Sequence, residues 1–519
     1  MYINNKLLIG KNKDLEMCIV PKMVNRHGLI TGASGSGKTT SVKVLAESMA
    51  SAGIPVLFID VKGDLAGTCK MGETVDWIEK SREEMNLTDF SYKSFSVQFF
   101  DVFKKSGLPV RTTIEKVGPK LLSKMLGLSD AQEGILAIAF QIAEDEKTEL
   151  INLNDLKQLL SYIGEKKDEY ILNYGNITAA SVAAIQRNIL ELEQEGGSNF
   201  FGEPELDLYD LLQFDYNGRG FINILDAQEL FKNPTLYASV LVWFLNTLYD
   251  SMPEVGDLDR PKLAFFLDEA HLIFNEMSAE LIKKITQIVK LIRSKGVGIY
   301  FISQAPSDIP EEILGQLGNK IQHVLRSYTP NDEKAIKAAC NSFRPNPDFK
   351  TDDAIKTLAT GEALVSFLNE KGEPSIVERV KIVPPESYTT TITDSERENV
   401  VKSSRCYAKY INDINSESAE EKISKRREED KAEKERLAEE KARLEQEEKE
   451  AKLREKEEKE EAKRKAQEEK EAAKKKAQEE KEAEKKKKAM LKPVKQIGNK
   501  VFNKATTSVV NSIWKKIFK

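Results

Sequence analysis

Cysteine is scarce in this chain. Its four cysteines (Cys18, Cys69, Cys340 and Cys406) stand far apart in 519 residues and form no C-x-x-C pair. That spacing excludes a disulfide framework and a thiolate zinc site, and fits a reducing compartment. Histidine is scarcer still: His27, His271 and His323 have no partner at metal-ligand spacing. Of these, His271 is expected to pack or hydrogen-bond beside a site rather than act in one. No apolar run approaches the roughly 20 residues that span a bilayer. The opening MYINNKLLIG is too short and too polar for a signal peptide. These absences set the expectation of a cytoplasmic protein. Of the few tryptophans, Trp77 and Trp243 are expected as core or interface anchors.

Charge is abundant but uneven. Residues 421–490 hold 26 basic and 24 acidic side chains, and residues 491–519 hold 7 basic and none acidic. The remaining 46 basic and 60 acidic residues leave 1–420 at net −14. An acidic body argues against nonspecific coating of nucleic acid, though not against a local basic channel. No recognisable DNA-reading motif is present.

The most informative stretch is Gly32-Ala33-Ser34-Gly35-Ser36-Gly37-Lys38-Thr39, which fits G-x-x-x-x-G-K-[ST]. An apolar strand candidate at 28–31 precedes it, and a helical stretch beginning at Thr40 follows. Glycines let main-chain N–H groups curl around a phosphate, and the helix N-terminus adds partial positive charge. Lys38 is placed to reach the β- and γ-phosphates of ATP, and Thr39 to ligate Mg²⁺. The glycines at 32, 35 and 37 do not space as G-x-G-x-x-G, which counts against a dinucleotide-binding reading.

LAFFLDE at 263–269 is the complementary half. A buried strand delivers Asp268 to its C-terminal edge as a Mg²⁺ ligand, and Glu269 follows to orient and deprotonate an attacking water. A further strand, GIYFIS, ends at Gln304, whose amide is suited to sensing the γ-phosphate or placing water. Asp60 and Asp64, in DVKGD after the next apolar run, either tune Mg²⁺ or cap the turn, and the turn is the expected role.

Apolar runs at 55–61, 94–100, 220–225, 262–267 and 298–303, with later strands at 320–325 and 363–367, alternate with helical segments. The expected fold is α/β: a P-loop NTPase with a mainly parallel sheet. Strand candidates at 6–9 and 17–20 precede the P-loop, and 361–383 reads as a hairpin with NEKGEP as its turn. The expected division is 1–111 and 216–390 as the two parts of the ATPase core, 112–215 as an all-α insertion, and 391–417 as a linker. A charged Lys/Glu/Ala-rich helical arm at 418–490 and a basic amphipathic segment at 491–519 complete it.

In the arm, KAQEEKEA at 465–472 recurs at 476–483, an 11-residue period. Leu437, Leu444 and Leu453 keep no heptad, so a solvated single helix is expected ahead of a coiled coil. In the last segment Val510, Ile513, Trp514, Ile517 and Phe518 share a helical face beside Lys515, Lys516 and Lys519. That suits an anionic membrane or a partner protein, or packing back on the chain itself.

NRHGLITGASGSGKT, FIDVKGDLAG, FFLDEAH, LIRSKGVGIYFISQ and LGQLGNKIQHVLRSYTP together resemble the HerA/FtsK class of P-loop motors, and within it a bacterial HerA-like ATPase family. The resemblance runs from about residue 6 to 385. It implies an additional-strand (RecA-type) core, usually a homo-hexameric ring, with ATP at subunit interfaces and double-stranded DNA in the pore. By that resemblance Lys38, Thr39, Asp268, Glu269 and Gln304 keep the roles argued from chemistry, and Gly32 to Thr40 form the nucleotide-binding loop. An arginine supplied to the neighbouring subunit is also implied. Arg293 matches its usual place, Arg326 is a second candidate and Arg187 a third. About two dozen residues precede the P-loop strand, so the family's N-terminal barrel, and with it nuclease coupling, is expected to be absent. A DNA translocase or helicase is therefore expected. The alternative is an ATPase that remodels or signals to a protein or membrane partner.

Overall fold

The computed structural model describes residues 1–488 except Asp14, and the amphipathic segment 491–519 lies outside the described residues. The chain divides into two compact units, Met1–Arg427 and Glu428–Lys519.

In the first unit, thirteen strands among the described residues form one sheet. Its centre is parallel, in the spatial order Asn319–Gln322, Gly28–Thr31, Val297–Ser303, Leu263–Leu267, Val56–Asp60, Ile222–Asp226, Val97–Asp101. The strands of Val56–Asp60, Leu263–Leu267 and Val297–Ser303 are buried at every residue, as expected where helices cover both faces. Alternate residues feed opposite layers. Leu263, Phe265 and Leu267 enter one apolar cluster with Leu57, Ile59 and Phe301. Ala264 and Phe266 enter the other with Phe58, Tyr300 and Ile302. This is the period-2 alternation of a pleated strand.

The first layer contains the helices between Ile114 and Phe200 and the helix Pro234–Ser251. Their starts are written in the sequence. Thr113 and Thr178 accept N-cap bonds, and Ser129/Gln132 and Asn152/Asp155 form capping boxes. The second layer contains the helix Lys38–Ser51 and the N-terminal strands Lys6–Asn12 and Leu15–Ile19.

Phe266 stacks between Phe58 (centroids 5.6 Å) and Tyr300 (4.9 Å), with no exposure. Phe266→Ala is expected to cost about 3–5 kcal/mol, read as a lower chemical-denaturation midpoint, because the rigid sheet cannot close the cavity. A loss under about 1 kcal/mol would contradict this packing.

The hairpin falls where expected: Glu362–Ser366 pairs antiparallel with Glu378–Ile382, and Gly372 adopts φ +81° in the turn. Two features differ from expectation. The 320–325 strand ends its ladder at Gln322, because the chain peels toward the P-loop, where the Val324 carbonyl accepts from Ala33 N at 2.9 Å. Residues 391–417 hold the helices Asp394–Ser403 and Tyr407–Tyr410 and pack closely. Tyr410 is fully buried, Arg397 pairs with Asp226 at 2.8 Å, and the buried Arg111 pairs with Asp413.

The helix Ala419–Lys488 begins inside the first unit, where Ala419 and Ile423 are buried and Arg426 and Arg427 pair with Glu146 and Glu165. From Lys431 to Lys486 its side chains are exposed, including Leu437, Leu444 and Leu453. Glu455–Lys459 and Glu461–Lys465 form i,i+4 pairs along it. Among the described residues no helix is long and apolar enough to cross a membrane.

Candidate nucleotide site

The strand Gly28–Thr31 ends at Gly32, where φ is +154° and a Cβ would lie 2.5 Å from the His323 side chain, so only glycine fits. The loop closes at Gly37 (φ +105°), and Lys38 opens the helix Lys38–Ser51. The Lys38 ammonium folds back over its own loop and donates to the carbonyls of Gly32 and Ala33, the latter at 3.0 Å. Burial, then the nearby Lys62 charge, holds its pKa below the usual lysine range. Ser34 and Gly35 are exposed at the loop tip, the Ser36 hydroxyl is buried without a partner, and Thr40 is half-buried behind Thr39.

His323 braces the loop from the next strand. Its Nδ1 lies 2.9 Å from the Glu362 carbonyl, to which it must donate, leaving Nε2 to accept from the Ser41 hydroxyl at 2.8 Å. Burial lowers its pKa to about 4, so it stays neutral. His27 is likewise structural: Nδ1 accepts from Ile299 N at 2.9 Å.

The strand Leu263–Leu267 delivers Asp268, 7% exposed, to the same C-terminal edge. One Asp268 oxygen accepts from Glu269 N at 2.9 Å. Burial pushes its pKa up to about 7, with Lys62 opposing the rise and Glu269 adding to it. Glu269 has φ 48° and ψ 46°, a left-handed backbone unusual for a non-glycine residue. Such strain concentrates where a side chain must be aimed. The Glu269 carboxylate meets Lys62 Nζ at 2.5 Å through one oxygen and His271 Nδ1 at 3.2 Å through the other.

The strand Val297–Ser303 lies between the P-loop and Asp268 strands, with Ser303 in register with Thr31. Gln304 follows directly, exposed, and its carbonyl accepts from Gly32 N at 3.2 Å. Asp308 fixes this turn by accepting from Ser303 Oγ at 2.5 Å and Ala305 N at 2.9 Å. Lys38, Thr39, Asp60, Lys62, Asp64 and Asp268 line one cleft. Asp60 holds the turn after its strand, accepting from Lys62 N, Gly63 N and Leu65 N at 3.1, 2.7 and 3.2 Å. Asp64 reaches Thr39 Oγ1 at 3.4 Å.

Among the described residues no group of three or more His, Cys, Asp or Glu forms a self-sufficient metal site. The hydroxyl and carboxylate oxygens of Thr39 and Asp268 instead suit Mg²⁺, which usually keeps water and phosphate oxygens and takes one or two protein ligands.

The structure does not bring the arginines together. Arg293 precedes the Val297–Ser303 strand at the edge opposite the cleft and pairs with Asp257 at 3.1 Å. At about 3.3 Å per residue the length of that strand separates it from its own P-loop by roughly 20 Å. Arg326 is exposed on the P-loop side, four residues beyond Gln322, and Arg187 is exposed on the helix Ala179–Gln194. The residue that sequence reasoning missed is Lys62. Its signal was a lysine two residues beyond the turn-capping Asp60, at the edge of a strand adjoining that of Asp268.

The chain is similar to several known proteins. The chain is 23% identical over 367 residues to the DNA double-strand break repair helicase HerA of Saccharolobus solfataricus, an alignment covering 69% of this chain and 64% of that protein. It is 22% identical over 365 residues to the DNA import protein CedB of Sulfolobus acidocaldarius, covering 68% and 52%. It therefore spans less than two thirds of the length of either relative. Among solved structures, the bacterial conjugative coupling protein TrwBdeltaN70 superposes with a TM-score of 0.49 at 12% identity, covering 73% of this chain and 89% of that one. The family model described as helicase HerA-like C-terminal matches residues 5–516, and the chain belongs to that family.

Proposed function

We propose that this protein is an ATP-hydrolysing ring motor, a translocase or helicase acting on double-stranded DNA. One observation carries the reading: three neighbouring parallel strands bring a P-loop lysine, a strand-end amide and an acid pair to one sheet edge. Thr39 and Asp268 would hold Mg²⁺, which neutralises charge on the phosphate oxygens. Lys38 exchanges its internal carbonyls for phosphate oxygens. Glu269 accepts the proton of a water that Gln304 helps to orient. The water oxygen bonds to the γ-phosphorus as the bond from phosphorus to the β–γ bridging oxygen breaks, leaving ADP and phosphate.

Arg293 lies far from its own cleft, paired with Asp257, so any part it takes in hydrolysis would be in a neighbouring subunit; the assembly proposed is a homo-hexameric ring. Arg293→Ala is then expected to abolish turnover while sparing ATP binding. Mixing Arg293→Ala with Glu269→Gln subunits should restore part of the activity, since some interfaces regain both groups. Full turnover by Arg293→Ala alone would remove the assignment, leaving Arg326 the stronger candidate. The reading as a whole is tested by phosphate release with and without duplex DNA, beside mass photometry in nucleotide. DNA should stimulate turnover more with falling salt, because each phosphate neutralised by a basic side chain releases counterions. Turnover indifferent to DNA, with liposome binding lost on deleting 491–519, would favour the membrane-directed alternative.

A further inference from the structure

The cleft contains a second cation that the hydrolytic roles leave unused. Lys62 stands on a turn fixed by three N–H donations to the Asp60 carboxylate, so its backbone is held while its side chain, 43% exposed, can move. Its ammonium rests 2.5 Å from the Glu269 carboxylate, lines the same cleft as Lys38, and is near enough for each lysine's charge to bear on that cleft. Lys38 sets the precedent. Its ammonium donates to carbonyls of its own loop, which take the donors that phosphate oxygens would use. Lys62 is satisfied in the same way, except that its substitute is the carboxylate that must act as base. An ammonium clamped on that carboxylate opposes proton transfer to it, so the two roles are incompatible until Lys62 leaves.

We propose that Lys62 reads the terminal phosphate: in the nucleotide-free protein it is parked on Glu269, and a bound triphosphate draws it onto the γ-phosphate, releasing Glu269 to face water. The inference rests on the ATPase reading and adds a group that distinguishes ATP from ADP. A diphosphate presents no γ-oxygens, so it leaves the Lys62–Glu269 pair intact and the base occupied. The swap exchanges one charge-assisted contact for another with a more highly charged acceptor, so it needs no change in the fold.

The test uses the full chain with Lys62→Met, which keeps most of the length of the side chain and removes its charge. Affinities for a fluorescent nonhydrolysable ATP analogue and for fluorescent ADP are measured with Mg²⁺. Loss of a charged phosphate contact should weaken the analogue by roughly 10- to 100-fold and ADP by less than about 2-fold. Lys62→Arg should recover most of the ATP-over-ADP preference, and Lys62→Gln should repeat the Met result if the Met variant folds poorly. An unchanged preference with slower turnover would make Lys62 a structural brace and overturn the proposal. Equal weakening of both nucleotides would overturn it too. Failure of the ATPase reading would show separately, as wild-type protein whose nucleotide binding ignores Lys38→Ala.

Discussion

Glu269→Gln is expected to bind ATP about as tightly as the parent and to hydrolyse it roughly 10²- to 10⁴-fold more slowly, the usual contribution of a positioned general base. The amide keeps the size and the hydrogen-bonding reach of the carboxylate but cannot accept a proton. The backbone sharpens the expectation. A left-handed residue at the strand–helix junction places its carboxylate against Lys62 of the cleft, and the substitution leaves that backbone geometry alone. It also removes the charge that holds Lys62, so ATP affinity should stay level or rise. Single-turnover phosphate release beside equilibrium binding separates the two effects. Turnover within a few-fold of wild type would show that another group takes the proton, and the acid pair would lose its assigned division of labour.

The division reflects how two adjacent carboxylates come to differ. Asp268 continues the strand and is drawn into the sheet edge, where burial keeps its carboxyl partly protonated. Glu269 turns out of the strand and meets Lys62 and His271 instead. One buried acid suited to a divalent ion and one paired acid suited to a proton follow from a single reversal of the chain.

How much of this was legible in the sequence depended on whether the contact was local. The P-loop, the acid pair and the strand before Gln304 were readable because each is one strand followed by its own turn. The parallel core was readable because LAFFL and VGIYFIS are apolar on both faces. The Lys62–Glu269 pair was not, since the strands carrying them meet only through sheet order. The short strand Leu108–Pro109 has two residues and no pattern to show. The packing of 391–417 was hidden by a polar composition around the buried Tyr410, whose hydroxyl accepts from Asp207 N at 3.0 Å. The arginines stayed ambiguous because a role outside the chain's own cleft would leave no local signature in the sequence.

Asp268→Asn is expected to abolish Mg²⁺-dependent turnover and yet to stabilise the nucleotide-free protein. An unfolded aspartate ionises near 3.8, whereas in the fold burial raises Asp268 to about 7. Between those values the folded chain holds a proton that the unfolded chain has lost. The residue's contribution to stability therefore falls as pH rises from about 4 to 7, and the loss is complete above that. Asparagine has no charge to bury and can still accept from Glu269 N, so it avoids the loss. At pH 8 the variant should gain about 1–3 kcal/mol over the parent, less than the full value of a three-unit shift at about 1.4 kcal/mol per unit, a shift that already includes the opposing pull of Lys62. The gain should shrink toward nothing as pH approaches 4. Adding Mg²⁺ with a nonhydrolysable ATP analogue should reverse the order, raising the parent's melting temperature and leaving the variant's little changed, because only the parent presents the carboxylate to the ion. Thermal unfolding at pH 5 and pH 8, with and without Mg²⁺-nucleotide, measures all of this. A variant less stable than the parent at pH 8 without nucleotide would show that Asp268 serves the fold rather than the ion.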